Sequence, residues 1–204
     1  LAATDNNTKV IWLCSPNNPT GNLLSENEIL ALLSQFRGLI VLDEAYIDFA
    51  GIASYSRYLH QYPRLVILQT LSKAWGSAAI RLGMAFASEE IITVFNKIKY
   101  PYNINLLTQE KALEMLDKKV QVELWIDNIL SERTKLIEAL SELPITRHIH
   151  PTSANFVLVE VDDANSTYQS LVEKGIIVRN RNSVSLCMGC LRITVGTPEE
   201  NHIL

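Results

Sequence analysis

Four short apolar runs mark the first half of the chain: Val10 to Cys14, Leu39 to Leu42, Leu65 to Gln69 and Met84 to Ala87. They are continuous rather than alternating, which is typical of parallel strands covered on both faces. Between the first two, Ser25 followed by Glu28 forms a capping box, which predicts that a helix begins there. Strand, helix and strand at this spacing indicate a βαβ unit and an α/β sheet.

After Glu89 the pattern becomes mainly helical. Helices are predicted over Glu89–Lys99, Leu106–Leu116 and Val120–Leu140, and the last of these ends before Pro144. A second set of elements follows: strands over Asn155–Val161, Ile176–Arg179 and Leu191–Val195, and a helix over Ser166–Lys174. The pattern predicts an α/β sheet domain over 1–117, a connecting helix over 118–143 and a small α+β domain over 144–204, incomplete at its end.

Composition limits the function classes. The chain has 18 Lys and Arg against 22 Asp and Glu, a net charge of −4, and no basic run, so a nucleic-acid partner is not expected. No apolar run approaches the roughly 18 residues of a membrane helix, and no leader suggests secretion. Three cysteines do not form a disulfide framework, so a cytoplasmic location is expected.

Polar clusters follow the predicted strands, at the ends where open parallel sheets bind ligands. They are Ser15 to Gly21, Asp43 to Tyr46, Thr70 to Lys73, and Arg81. Each has an ordinary explanation by itself: a turn, a helix cap, an exposed lysine and a surface arginine. Together they meet one chemical demand. A pyridoxal cofactor needs a lysine for its aldehyde, a carboxylate for its ring nitrogen, hydrogen bonds at its phenolic oxygen, and cations and hydroxyls at its phosphate.

Three motifs carry a resemblance to a known family. Ser-Pro-Asn-Asn-Pro-Thr-Gly at 15–21, Asp-Glu-Ala-Tyr at 43–46 and Thr-Leu-Ser-Lys-Ala-Trp at 70–75 occur in this order. The chain resembles the fold-type I aminotransferases of the aspartate aminotransferase superfamily, and among them the histidinol-phosphate aminotransferases. The tail from Cys190 to Thr197 is similar to their C-terminal motif. The resemblance implies a pyridoxal-phosphate-dependent transferase fold, present here as part of the large, mainly parallel domain and the small domain.

The resemblance implies a role for each motif residue. Lys73 would hold the aldehyde of pyridoxal 5′-phosphate as a Schiff base and, once freed, move a proton at the substrate. Asp43 would pair with the ring nitrogen, and Tyr46 and Asn18 would bond the phenolic oxygen. Arg81 would bind the phosphate, with Thr70 and Ser72 as hydroxyl donors.

Two arginines match positions that bind substrate in this family. Arg192 matches the arginine that binds the α-carboxylate, and Arg179 matches a position near the substrate phosphate in histidinol-phosphate enzymes. An arginine fork suits either anion. The alternative for Arg179 is a surface ion pair on an edge strand. The implied reaction transfers an amino group between histidinol phosphate and 2-oxoglutarate in histidine biosynthesis, in a homodimer whose small-molecule substrates are amino-acid or amino-alcohol phosphates and glutamate.

Two other functions stay open. One is a decarboxylase of the same fold acting on a phosphorylated amino acid, which Arg179 and Arg192 do not exclude. An aminotransferase-like domain of a regulator would need a DNA-binding segment that these residues do not include.

The resemblance also suggests a missing part. Enzymes of this superfamily have a large preceding segment that helps to bind the phosphate and stacks on the ring, and nothing here resembles it. We therefore expect this chain by itself to bind the cofactor weakly or not at all and to be inactive. Cys187 and Cys190 form a C-x-x-C, but two thiols without further ligands predict no metal site.

Overall fold

The computed structural model describes residues 3–204, and these group into two compact units. The first comprises the residues up to Ser15 together with Leu24–Val122. The second comprises Pro16–Leu23 together with Glu123–Leu204. The segment Pro16–Leu23 therefore belongs to the second unit, although its position in the chain assigns it to the predicted large domain. The functional division into domains stays a prediction.

The first unit contains a four-stranded sheet in the order β1-β2-β3-β4. Its strands are β1 (Val10–Cys14), β2 (Leu39–Asp43), β3 (Leu65–Thr70) and β4 (Gly83–Phe86), and its helices are α1 (Glu26–Gln35), α2 (Glu89–Ile98) and α3 (Leu106–Leu116). The first three strands are parallel, as the apolar runs predict. Short 3-10 turns cover Ile47–Phe49, Tyr55–Tyr58 and Ala78–Ile80.

The fourth strand is a correction, because β4 runs antiparallel to β3. A parallel return usually crosses over through a helix. The connection from β3 to β4 contains only the 3-10 turn Ala78–Ile80, so the chain folds straight back. The apolar run alone does not distinguish the two directions.

Helix α1 begins at the predicted capping box. The Ser25 side chain accepts from the Glu28 amide, and the Glu28 carboxylate accepts from the Ser25 amide. Ile29 and Leu33 face the sheet and pack with Ile40, Leu42, Leu65 and Ile67. Because successive side chains of a strand alternate, Asp43, Leu68 and Thr70 lie on the opposite face.

Helix α4 (Lys119–Ser141) confirms the predicted long helix and passes from the residues of the first unit into those of the second. The second unit contains an antiparallel sheet in the order β5-β6-β8-β7. Its strands are β5 (Thr146–Ile149), β6 (Phe156–Val161), β7 (Arg179–Asn180) and β8 (Cys190–Thr194), with helices α5 (Ala164–Glu173) and α6 (Pro198–Ile203). Its core combines Leu136 and Leu140 of α4 with apolar side chains of β6 and β8.

The strand predicted over Ile176–Arg179 is wrong in extent, since only Arg179 and Asn180 pair with β8. Val178 is buried while Ile177 is exposed, so the apolar run packs as an irregular connection rather than as a strand. Among residues 3–204 no helix is both long enough and apolar enough to cross a membrane.

Helices α2 and α3, the loop between them and the start of α4 leave large apolar side chains exposed. The most exposed include Ile98, Tyr100, Tyr102, Leu107 and Val120. Exposed apolar surface of this extent is typical of interaction surfaces or of aggregation.

We therefore expect this chain to self-associate at micromolar concentration. The double variant Leu107→Lys, Val120→Lys should shift the mass measured by light scattering after gel filtration toward the monomer, because it places charge in the apolar patch. Ile177→Lys, at a similarly exposed apolar position in the second unit, is the control and should not change the mass. A monomeric parent chain would contradict the expectation.

Gly21 is required where Pro16–Leu23 meets the rest of the second unit. Its φ is +80°, and a Cβ there would stand 2.2 Å from Thr152 Oγ1. The Gly21 carbonyl accepts from the Ser153 amide at 2.7 Å. Any side chain at position 21 would therefore add both backbone strain and a steric clash.

Gly21→Ala should lower the free energy of unfolding by more than Gly175→Ala. Gly175 has a nearly equal φ of +79° but no atom within 4 Å of the added Cβ, so its variant carries only the strain of about 1–2 kcal/mol. Chemical denaturation of both variants measures the difference. Equal losses of unfolding free energy in the two variants would show that Thr152 moves away from the added Cβ at no energetic cost.

Candidate active site

Apart from Arg81, the predicted site residues of the first unit lie at or just after the ends of the parallel strands β2 and β3. Cys14 pairs with Asp43, and Asp43 with Leu68, so β1, β2 and β3 end next to one another. The chain segments that follow each strand carry polar side chains, and the carboxyl ends of parallel strands are where α/β sheets bind ligands.

Asp43 borders a cavity of about 390 Å³ on the sheet face opposite α1. Leu68 and Thr70 of β3 and Gly83, Met84 and Ala85 of β4 line it as well. Asp43 Oδ1 accepts a hydrogen bond from the Ala45 amide at 3.0 Å. The carboxylate is half-buried beside a cavity, which suits a group that must pair with a cationic ring nitrogen.

Lys73 and Tyr46 lie close together. The Lys73 ammonium is 5.4 Å from the centroid of the Tyr46 ring, within the range of a cation–π contact. Lys73 is exposed and stands in a tight turn, in which the Gly76 amide donates to the Lys73 carbonyl and the Ser77 amide to the Leu71 carbonyl. The turn fixes the backbone while the amine stays accessible.

Thr70 and Ser72 form a hydroxyl pair. Their Oγ atoms are 3.0 Å apart, and Thr70 Oγ1 also accepts from the Ser72 amide at 3.1 Å. Two hydroxyls at one strand end are suitable donors for a phosphate.

Arg81 has a left-handed backbone with φ +54°, at the end of the turn Ala78–Ile80. This conformation costs a residue other than glycine about 1–2 kcal/mol, and such strain is concentrated at functional positions. In the structure its guanidinium donates to the Ala78 carbonyl at 3.0 Å. The nearest resolved partner of Arg81 is thus its own turn rather than the hydroxyls.

The other three predicted site residues, Asn18, Arg179 and Arg192, lie in the second unit. Arg192 donates to Asn18 Oδ1 at 2.6 Å, and its guanidinium is 4.9 Å from the centroid of the Phe156 ring. Because the Asn18 oxygen accepts this bond, the amide's Nδ2 is the group that donates elsewhere. The Asn18–Pro19 peptide bond is cis.

Arg179 and Arg192 are direct neighbours across the sheet. Arg179 of β7 pairs with Arg192 of β8 in the antiparallel register, so their side chains emerge on the same face. Like charges placed directly opposite each other are unfavourable without an anion between them. The strand register therefore gives this face the chemistry of an anion site.

The C-x-x-C is buried rather than reactive. Cys187 and Cys190 are free thiols with almost no exposed surface. Burial raises the pKa of the Cys190 thiol, which reduces the reactive thiolate at neutral pH. Cys190 Sγ is 3.9 Å from His150 Nε2. Throughout residues 3–204, no three His, Cys, Asp or Glu residues are grouped so as to hold a metal ion.

Glu44 is the acidic residue of the Asp43–Tyr46 motif for which the sequence predicts no role. The Glu44 side chain is almost fully buried and accepts three hydrogen bonds. Its position gives a weak signal of this burial. Glu44 directly follows an apolar strand, and side-chain alternation puts it on the sheet face covered by α1, opposite to that of Asp43.

The chain matches the family model described as aminotransferase class I and II over residues 1–204. A curated histidinol-phosphate aminotransferase from Parabacteroides distasonis is 55% identical over 204 residues, which cover 100% of this chain and 59% of that protein. The chain thus spans about three-fifths of the length of this relative.

Solved structures agree with the family match. The histidinol-phosphate aminotransferase from Clostridium acetobutylicum superposes with a TM-score of 0.89 at 25% identity, over 95% of this chain and 61% of that one. The L-threonine-O-3-phosphate decarboxylase from Porphyromonas gingivalis gives 0.87 at 27% identity, over 100% and 64%. The fold is the one that the sequence predicts, and the chain belongs to the class I and II aminotransferase family.

Proposed function

We propose that the protein containing this chain is a pyridoxal-phosphate-dependent aminotransferase that acts on histidinol phosphate and 2-oxoglutarate. The observation that carries the substrate class is the cross-strand pair of Arg179 and Arg192, which fits an anionic substrate. The name of the Parabacteroides distasonis relative supports the particular reaction.

The residues of the first unit fit the cofactor by their chemistry. They comprise an accessible amine, a carboxylate beside a cavity, a buried phenol, two adjacent hydroxyls and a strained arginine. When bound, pyridoxal phosphate supplies an electron sink for charge that develops on the substrate carbon. Lys73 would hold the aldehyde, Asp43 would keep the ring nitrogen protonated, and Thr70, Ser72 and Arg81 would bind the phosphate.

The protein's own groups then have separate tasks. Tyr46 and Asn18 would each donate to the phenolic oxygen and favour its ionised form. The Lys73 amine, once free, would take and return a proton at the substrate Cα. Arg192 binds the α-carboxylate of glutamate, and Arg179 binds the phosphate of histidinol phosphate.

A phospho-amino-acid decarboxylase is the second candidate, favoured by the structural match to the Porphyromonas gingivalis enzyme. Product analysis separates the two functions. Transamination of histidinol phosphate with 2-oxoglutarate yields glutamate, whereas decarboxylation of a phosphorylated amino acid releases carbon dioxide. Homodimerisation stays a prediction from the resemblance, and a cytoplasmic location stays a prediction from the composition.

Lys73→Ala tests the cofactor assignment. In a protein of the relatives' full length that includes this chain, completed for example with the remaining residues of the Parabacteroides distasonis protein, the near-visible band of the lysine-bound cofactor should disappear. Transamination should fall on the order of 10³-fold or more, because a group that acts in the chemical step is lost. Lys97→Ala, an exposed lysine on α2, should change neither.

Retained transamination in Lys73→Ala would exclude this lysine. Mixing this chain by itself with pyridoxal phosphate should give no stoichiometric near-visible band. A stoichiometric band that depends on Lys73 would show that these residues suffice to bind the cofactor.

Arg179→Gln should raise the KM for histidinol phosphate roughly 10- to 100-fold, because a charge-assisted hydrogen bond is lost. The KM for glutamate should change less, whereas Arg192→Gln should raise the KM for glutamate more than that for histidinol phosphate, since histidinol phosphate has no α-carboxylate. Steady-state kinetics with each substrate measure the split, and Lys174→Gln, at an exposed position in the same unit, is the control. An unchanged KM for histidinol phosphate in Arg179→Gln would favour the surface ion-pair interpretation.

A further inference from the structure

Glu44 places a carboxylate inside the first unit, next to Asp43. Its side chain is 1% exposed. Oε2 accepts from Ser54 Oγ at 2.6 Å and from Gln69 Nε2 at 2.8 Å, and Oε1 accepts from the Tyr55 amide at 2.8 Å. A buried carboxylate is tolerated only when such partners replace its water, so this arrangement is specific.

The donors come from two different parts of the chain. Ser54 and Tyr55 begin a 3-10 turn, and Gln69 is on β3. Gln69 Nε2 also contacts Ser54 Oγ at 3.1 Å, which closes the network. Glu44 therefore ties the end of β2 to the neighbouring strand and to the turn that follows.

The main chain of Glu44 is fixed as well. Its amide donates to the Leu68 carbonyl at 2.8 Å, and its carbonyl accepts from the Ile47 amide at 3.0 Å. Asp43 precedes this anchored residue and Tyr46 follows two positions later. The anchored main chain of Glu44 therefore restricts where the adjoining main chain of Asp43 and Tyr46 can lie.

The network requires a carboxylate. Three donors converge on two oxygens, so a glutamine at this position would offer one acceptor and turn its own NH2 toward a donor. An unmatched buried donor carries a desolvation penalty that the native network avoids.

We propose that Glu44 is a positioning residue for the reaction, which holds Asp43 and Tyr46 in the orientation that the cofactor needs. The inference rests on the proposed function. Glu44 acts through its neighbours and touches neither cofactor nor substrate, so its effect should appear in how the bound cofactor titrates and not only in stability.

The first experiment needs no cofactor. In this chain, Glu44→Gln should raise the rate of deuterium exchange of the amides in 43–47 about tenfold relative to Leu33→Ala, because the anchor of that segment is lost. Leu33 is a buried residue of α1 that packs on the sheet face where Glu44 lies but stays outside the network, so it controls for general loosening. Equal exchange in the two variants would overturn the proposal.

The second experiment uses the full-length protein loaded with pyridoxal phosphate. Glu44→Gln should raise the pH midpoint of the cofactor's absorbance by about one unit, a tenfold change in the ionisation constant, because a displaced Tyr46 no longer favours the ionised phenolic oxygen. The kcat should fall on the order of tenfold. Leu33→Ala should lower the melting temperature and leave the midpoint in place.

Rescue separates positioning from stability. The exchange Glu44→Gln, Gln69→Glu keeps one carboxylate and one amide in the network and should bring the midpoint back toward the parent value. Should Glu44→Gln fail to fold, Ser54→Ala replaces it, since it removes one donor and leaves the carboxylate; a smaller shift in the same direction is expected.

The outcomes are distinct. A parent protein without a Lys73-dependent band contradicts the proposed function and the inference together. A parent with that band, and folded Glu44→Gln or Ser54→Ala variants with an unchanged midpoint, contradict the inference alone.

Discussion

The parallel pairing of β1, β2 and β3 is the constraint on which the first unit depends. The register sets Cys14 beside Asp43 and Asp43 beside Leu68, so the strand ends lie together. Side-chain alternation then divides the residues: Ile40, Leu42, Leu65 and Ile67 go to the face under α1, while Asp43 and Thr70 go to the other. A slip by one residue would move Asp43 to the face under α1 and take Ile40 and Leu42 away from it. Packing under α1 therefore fixes the face on which Asp43 and Thr70 lie.

Glu44 shows how this constraint extends into the site. It falls on the covered face, where a carboxylate must find donors, and it finds them on β3 and on the following turn. The network thereby connects the strand register to the segment that carries Asp43 and Tyr46. In the second unit the antiparallel register has a similar effect, because it sets Arg179 opposite Arg192. In both units, backbone pairing determines which charged groups become neighbours.

Much of this architecture was predictable from local patterns. The structure confirms the capping box at Ser25 and Glu28, the apolar runs of β1 to β3 and the long stretch of helical periodicity in α4. Each of these features depends only on residues that are close in the chain. The direction of β4, the shortness of β7 and the strand β5 were not predicted. They depend on what lies beside each segment in space, and a short apolar run has the same appearance in either direction.

The sequence by itself determined the family and the set of candidate residues, because motif spacing encodes which groups follow which strand. Only the tertiary structure decided how those groups pair: Lys73 with Tyr46, Thr70 with Ser72, and Arg192 with Asn18 and Arg179. It also placed Pro16–Leu23 with the second unit, through Gly21 and Thr152. These pairings join residues that are up to 174 positions apart, and such contacts depend on packing and register that no local pattern specifies.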